Sequence, residues 1–205
     1  MSLTVSESGA REIPILPEGS YVAVCNMLID LGLQYNKTYG NSSRKVLIGW
    51  ELPEELIEIG GEPVPRTINQ RYTASLNEKS VLRRDLAAWR GRDFTAAELS
   101  EFNLRNIVGA PCLLQVIHRE YNGKKYANMA SIMTLPKGME KPKLSAEPVI
   151  YDIDEDEPSA VNDLPEWIKS IVIQSESYQE KIKNSEATEA SVFTELDEDD
   201  GVLPF

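Results

Sequence analysis

The order of hydrophobic and polar positions along the chain predicts mainly β-structure. Five segments have the composition or the alternation of strands: 21–31, 44–51, 66–73, 111–119 and 125–135. The first is long for one strand, which favours a bend or a bulge within it. In the second, Val46, Ile48 and Trp50 fall on one face. This phase places Trp50 in the core rather than on a base-stacking surface.

The pattern becomes helical between the third and fourth predicted strands. Leu82, Leu86 and Trp89 recur at helical spacing and predict one apolar face. A second, short helix is predicted soon afterwards, because Thr95 and Glu98 have the spacing of a capping box.

The last two predicted strands are joined by Asn122-Gly123, the strongest sequence signal for a hairpin with a type I′ turn. Three strands, a helical segment and a two-stranded hairpin are the element order of the OB-fold, a Greek-key barrel. The predicted fold class is therefore mainly β: a five-stranded OB-fold with a helical insertion between strands 3 and 4, followed by a largely disordered acidic C-terminal tail.

Charge divides the chain into two parts. Residues 1–145 hold 18 Lys and Arg against 16 Asp and Glu, a net of +2, and residues 146–205 hold 3 against 17, a net of −14; together they give the formal net charge of −12. A near-neutral body with an acidic tail is compatible with a basic groove. We predict a flexible arm at 1–16, a nucleic-acid-binding domain at 17–145 and a tail at 146–205 with a short helix near 163–173. That helix either docks on the body or folds on a partner.

Several classes of protein are disfavoured by the sequence. Cys25, Cys112 and His118 are too few for a disulfide framework or a usual zinc site, so we predict buried cysteines, no metal and no cofactor. No apolar run spans a bilayer and no signal peptide is recognisable, which predicts a cytoplasmic protein without membrane contact. A nuclease would need carboxylates clustered around a metal. The acidic residues of the body are scattered, so we predict no catalytic residues and no enzymatic activity.

Two predicted loops concentrate tyrosines with lysines and arginines. The first, 34–45, either stacks bases and neutralises phosphates or is an ordinary hairpin connection whose tyrosines cover the barrel end. The tip of the later hairpin holds more cations and rings than a turn requires. OB-folds bind oligonucleotides along these two loops, and strand 3 adds a cation on its polar face. The predicted DNA-binding residues are Tyr35, Lys37, Tyr39, Arg44, Lys45, Arg71, Arg119, Tyr121, Lys124, Lys125 and Tyr126.

The chain ends in an acidic run and a short apolar tip, residues 197–205. Its terminal Phe205 carries both a ring and the carboxylate, which suits capture by a pocket with an apolar floor and a basic rim. The tip resembles the C-terminal tip of bacterial and phage single-stranded-DNA-binding proteins, which implies that it docks replication, recombination and repair proteins. The predicted partner-binding residues are Asp199, Asp200, Leu203, Pro204 and Phe205.

The body resembles a family of phage-encoded single-stranded-DNA-binding proteins. The matching stretches are Arg-Tyr-Thr-Ala-Ser-Leu at 71–76, Trp-Arg-Gly-Arg-Asp-Phe at 89–94 and Tyr-Ala-Asn at 126–128. The resemblance covers residues 17–137, approximately, and the tip. It implies DNA binding without strong sequence preference in the replication or recombination of a bacteriophage, in the cytoplasm of the host.

Other interpretations stay open at this point. In one of them the groove of the body accepts duplex DNA as well as single strands, since cationic grooves attract both. Alternatively, the acidic tail mimics DNA and inhibits a DNA-binding protein, an activity that needs no cationic loops. The sequence does not fix the oligomeric state, and a homo-oligomer is compatible with it.

Overall fold

The chain forms mainly antiparallel β-structure, as predicted, and the computed structural model describes residues 13–185. Among these residues no helix has the length and apolar character needed to cross a membrane. The strands are β1 (Gly19–Asn36), β2 (Asn41–Ile59), β3 (Glu62–Thr73), β4 (Pro111–Tyr121), β5 (Lys124–Met133) and β6 (Val149–Tyr151). The helices are α1 (Val81–Arg90), α2 (Ala96–Ser100) and α3 (Glu166–Ile173), with 3₁₀ turns at Leu104–Ile107 and Pro158–Asp163 and a helical stretch at 176–185.

β1 is the central strand of the sheet. The order is β3-β2-β1-β4-β5 with antiparallel neighbours, and β6 pairs with β1 in parallel. The first part of β1 pairs with β4, and most of its length pairs with β2. Register shifts after Cys25 and after Asp30 interrupt the pairing with β2, which confirms that this long strand is bulged. Within residues 13–185 no backbone pairing joins β3 to β5, the two ends of this order.

One face of the sheet packs against α1 to form the main core. Leu82, Leu86 and Trp89 are buried on α1, as their spacing predicts. The Trp89 ring meets that of Trp50 on β2, with centroids 5.8 Å apart. Trp50 is 1% exposed, so its predicted place in the core is confirmed.

Both cysteines lie in this core, as predicted. Cys25 of β1 and Cys112 of β4 have no exposed surface, and both are free thiols. Burial raises the pKa of Cys25 to about 12 and also raises the pKa of Cys112. Both thiols are therefore protonated at neutral pH, which is not the form that acts as a nucleophile or binds a metal.

The arginines of the helical segment are held by a carboxylate. Thr95 and Glu98 form the predicted capping box at the start of α2. Glu98 also accepts hydrogen bonds from Arg92 and Arg90. The bonds from Arg92 and from the Thr95 N–H hold the pKa of Glu98 far below its usual range. These cations therefore stabilise the local fold.

The C-terminal segment, residues 149–185, builds a second core on the sheet. It covers Ile29, Leu31 and Leu47 of β1 and β2. From α3 it buries Ile168 and Val172, neither of which is exposed. The helix predicted near 163–173 is thus present, and of its two alternatives the structure shows docking on the body.

This segment differs from the predicted disordered tail and adds a sixth strand to the predicted five. The reason is that apolar residues such as Tyr151 and Ile153 lie between the acids, and the high acidic charge obscured them. At the other end, Leu16 is buried in the main core, so the ordered body begins before residue 17. The predicted tip 197–205 lies outside the described residues.

Candidate nucleic-acid interface

The β4–β5 hairpin presents the densest group of predicted DNA-binding residues. Both residues of its turn, 122–123, have positive φ, as a type I′ turn requires. The ladder pairs Arg119 with Tyr126 and Tyr121 with Lys124. Because residues two apart on a strand share a face, all four side chains lie on one face of the hairpin. We call these four residues the hairpin face.

The hairpin face is open to solvent, and no described residue forms an ion pair with its two cations. Tyr121 is 70% exposed and Tyr126 is 47% exposed. Neither Arg119 nor Lys124 is ion-paired within the described part of the chain. The Cβ atoms of directly opposite residues are roughly 4.5–5.5 Å apart, so each tyrosine side chain lies beside a cationic side chain. Lys125 is separate from this group, because it lies on the other face opposite Glu120.

The first predicted loop is shorter than the sequence suggested. β1 and β2 extend until only the turn 37–40 separates them. Lys37 and Tyr39 lie in this turn, whereas Tyr35 lies near the end of β1. Tyr39 is 78% exposed and Tyr35 is 60% exposed, so these rings do not cover the sheet. Their exposure agrees with the stacking alternative.

The two groups of tyrosines lie towards opposite ends of β1. The turn 37–40 follows the last residue of β1, whereas the antiparallel pairing carries β4 beyond the first residue, Gly19. No hydrogen bond, ion pair or ring contact between residues of 13–185 joins the two groups. The structure therefore keeps them as separate clusters along the body.

A polar cleft beside β2, β3 and the start of α1 contains a third group of predicted DNA-binding residues. Lys45 and Thr73 are directly opposite on the two strands, and the Lys45 Nζ donates a hydrogen bond of 2.7 Å to the Thr73 Oγ1. Arg71 shares this face of β3. The cleft also takes in residues that the sequence analysis missed: Ser75, Asn77, Lys79 and Ser80. They belong to a polar run between a strand and a helix, which the sequence marks only as a turn.

Arg44 is a predicted DNA-binding residue that has another role in the structure. Its guanidinium donates to both carboxylate oxygens of Asp30, with the shortest bond at 2.5 Å, and to Asp154 at 2.6 Å. Its hydrogen bond to Asp30, chiefly, raises the pKa of Arg44, which stays charged. Because two carboxylates already occupy this guanidinium, we exclude Arg44 from the candidate interface.

The carboxylates around Arg44 are brought together from distant parts of the sequence. One oxygen each of Asp30, Asp152 and Asp154 lies within 4.8 Å of the others. In the sequence the acids of the body are scattered, and the latter two lie in the predicted tail. Carboxylates of this kind bind hard cations, but here Arg44 lies among them and Arg105 is 3.9 Å from Asp152. The group is an ion-pair network that joins the C-terminal segment to the sheet.

Comparisons with known proteins give this chain no family assignment. No protein-family model matches it, and no curated protein matches it in sequence. Its function is therefore inferred from three structural groups: the hairpin face, the turn 37–40 and the polar cleft.

Proposed function

We propose that this protein binds single-stranded DNA without strong sequence preference. The observation that carries the proposal is the hairpin face, where two exposed tyrosines lie beside two cations that form no ion pair with any described residue. Stacking on an aromatic ring contributes about 1–3 kcal/mol per base, and any base can stack. Lys and Arg neutralise phosphates whatever the sequence. Unpaired bases reach the rings, whereas a duplex offers mainly its phosphates, so we expect single strands to bind more tightly.

An OB-fold is the architecture that we propose for the body. The order β3-β2-β1-β4-β5 is that of an OB barrel opened between β3 and β5, with helices between β3 and β4. This fold binds oligonucleotides across strands 2 and 3 and along the loops joining strands 1–2 and 4–5. The polar cleft, the turn 37–40 and the hairpin face are in corresponding positions, which supports the assignment.

We further propose, on the resemblances of the tip and the body, a role in phage replication or recombination in the host cytoplasm. In this role the terminal residues recruit partner proteins through their acidic side chains and the terminal aromatic ring. The residues assigned to this contact are Asp199, Asp200, Leu203, Pro204 and Phe205.

Titration of a fluorescent oligothymidine tests the proposal. We expect the wild-type chain to bind, and Tyr121→Ala or Tyr126→Ala to weaken binding about 5- to 150-fold, the equivalent of 1–3 kcal/mol for one stacked base. Trp167 is a matched control, because it is an exposed ring, 47% accessible, on α3. Trp167→Ala should leave the affinity unchanged.

Three outcomes of this titration would contradict the proposal. The wild-type chain could fail to bind in dilute buffer, as the DNA-mimic interpretation predicts. The tyrosine variants could bind as tightly as the wild type, which would remove the hairpin face from the interface. A duplex of equal length could bind as tightly as the single strand, which would favour a general DNA-binding protein.

A further inference from the structure

The polar cleft concentrates positive charge that forms no ion pair with the described part of the chain. It has a volume of about 500 Å³, and its lining, as far as residues 13–185 form it, includes Lys45, Arg71 and Lys79 but no carboxylate. These cations lie on β2, on β3 and in the loop before α1, so it is the fold that brings the three positive charges together. None of them forms an ion pair with a residue between 13 and 185. Arg44, by contrast, is bound to two carboxylates.

The groups lining the cleft suit an anion with several acceptor oxygens. The Lys45 ammonium is positioned by Thr73 and keeps two further N–H donors. Arg71 adds a planar set of donors that matches a phosphate. We propose that the cleft binds a backbone phosphate of the single-stranded DNA, an inference that rests on the proposed function.

The face of β3 beside the cleft favours a strand over a free ion. Thr67, Asn69, Arg71 and Thr73 alternate along β3 and are all exposed. A DNA strand that leaves the cleft along β3 therefore meets polar side chains rather than apolar surface. Inorganic phosphate shares the chemistry of the backbone and is the other source of an anion.

The loop that closes the cleft is fixed by its own hydrogen bonds. The Ser75 Oγ accepts from the Asn77 N–H, and the Asn77 Oδ1 accepts from the Lys79 N–H. Ser80 is the N-cap residue of α1, yet its hydroxyl donates to the Ser75 carbonyl and does not cap the helix. The first turn of α1 has no acidic residue. The conformation of the loop is thus fixed, and the first turn of α1 adds no carboxylate to the cleft.

A matched pair of variants at Ser80 tests the phosphate site. Asp and Asn are both good N-cap residues, so Ser80→Asp and Ser80→Asn should stabilise α1 similarly, while only Asp adds a negative charge to the cleft. We expect Ser80→Asp to bind oligothymidine about tenfold more weakly than Ser80→Asn, because it repels the phosphate. Lys79→Ala should reduce the slope of log affinity against log salt by about 0.7, the value for one phosphate contact on a single strand.

The controls separate this inference from the proposed function. Thr95→Asp adds the same charge at the N-cap of α2, outside the cleft, and should leave affinity unchanged. If wild type binds and the two Ser80 variants bind equally, the phosphate site is overturned while single-strand binding stands. If wild type does not bind, both are overturned. If inorganic phosphate alone binds in calorimetry, Ser80→Asp abolishes this, and oligothymidine affinities stay equal, the cleft is a free-phosphate site and the strand assignment is overturned.

Discussion

The presence or absence of an ion pair distinguishes arginines that stabilise the fold from arginines that are candidate DNA ligands. Arg44, Arg90 and Arg105 are each ion-paired with carboxylates. Arg71 and Arg119 form no ion pair in the part of the chain that the structure describes. An arginine that already binds carboxylates contributes to folding, whereas an unpaired one keeps its donors for phosphate.

Arg44 provides a test of this distinction. Arg44→Met leaves the Asp30 side chain, 9% exposed, without its cation. We expect the free energy of unfolding to fall by about 1–3 kcal/mol, less than for a fully buried pair because Arg44 itself is 40% exposed. DNA affinity should not change. Urea denaturation and oligonucleotide titration measure the two effects.

Arg71→Met is the complementary control. It should leave stability nearly unchanged and weaken DNA binding, because Arg71 is exposed and unpaired among the described residues. The reverse assignment, weaker binding without destabilisation in Arg44→Met, would return Arg44 to the interface.

At the scale of elements, the C-terminal segment packs closely against β1 at Gly32. Gly32 has a φ of 69°, and a Cβ there would lie 2.6 Å from the Ser175 Oγ and 2.7 Å from the Ile153 Cδ1. Ser175 and Ile153 are both buried, so neither can move aside freely. The segment therefore requires glycine at this position of the strand.

Gly32→Ala should lower the free energy of unfolding by about 2–4 kcal/mol, which combines backbone strain with overpacking. Gly40 is the matched control, because it also has a positive φ, 62°, but no atom of residues 13–185 lies within 4 Å of its Cβ position. Gly40→Ala should show only the backbone cost, about 1–2 kcal/mol. Equal losses in the two variants, measured by urea denaturation, would argue against the docked arrangement.

Local rules explain which elements the sequence predicted. The stripe on α1, the capping box at Thr95 and the Asn122-Gly123 turn each depend on residues within a few positions of one another. The polar cleft and the contact of Arg44 with Asp154 join residues that are far apart in sequence. The periodicity of the sequence does not predict such contacts, because they depend on the tertiary arrangement of the strands.

At the scale of the whole molecule, acidic charge is concentrated towards the C-terminus. Residues 186–205 carry seven acidic residues and no Lys or Arg, and four of the seven lie in the tip 197–205. Because the tip is covalently attached, its local concentration at a cationic face is on the order of millimolar when within reach. We therefore propose, as part of the proposed function, that the tip competes with DNA for the hairpin face and the cleft.

Deleting residues 197–205 should tighten DNA binding, most strongly at low salt, and abolish recruitment of partners. Oligonucleotide titrations at two salt concentrations measure the first effect. Phe205→Ala is the matched control: it keeps all four acids of the tip and should lose recruitment while DNA affinity stays that of the full chain. Equal affinity of the full and shortened chains would count against competition by the tip.

The docked C-terminal segment also sets the smallest piece of the protein that can be expected to fold alone. A truncation at residue 145, the boundary drawn from charge, would remove β6 and α3 and uncover Ile29, Leu31 and Leu47. A contiguous apolar patch of this kind promotes aggregation. A minimal fragment for biophysical work must therefore retain the chain at least as far as Ile182, the last of the described residues that packs on this second core.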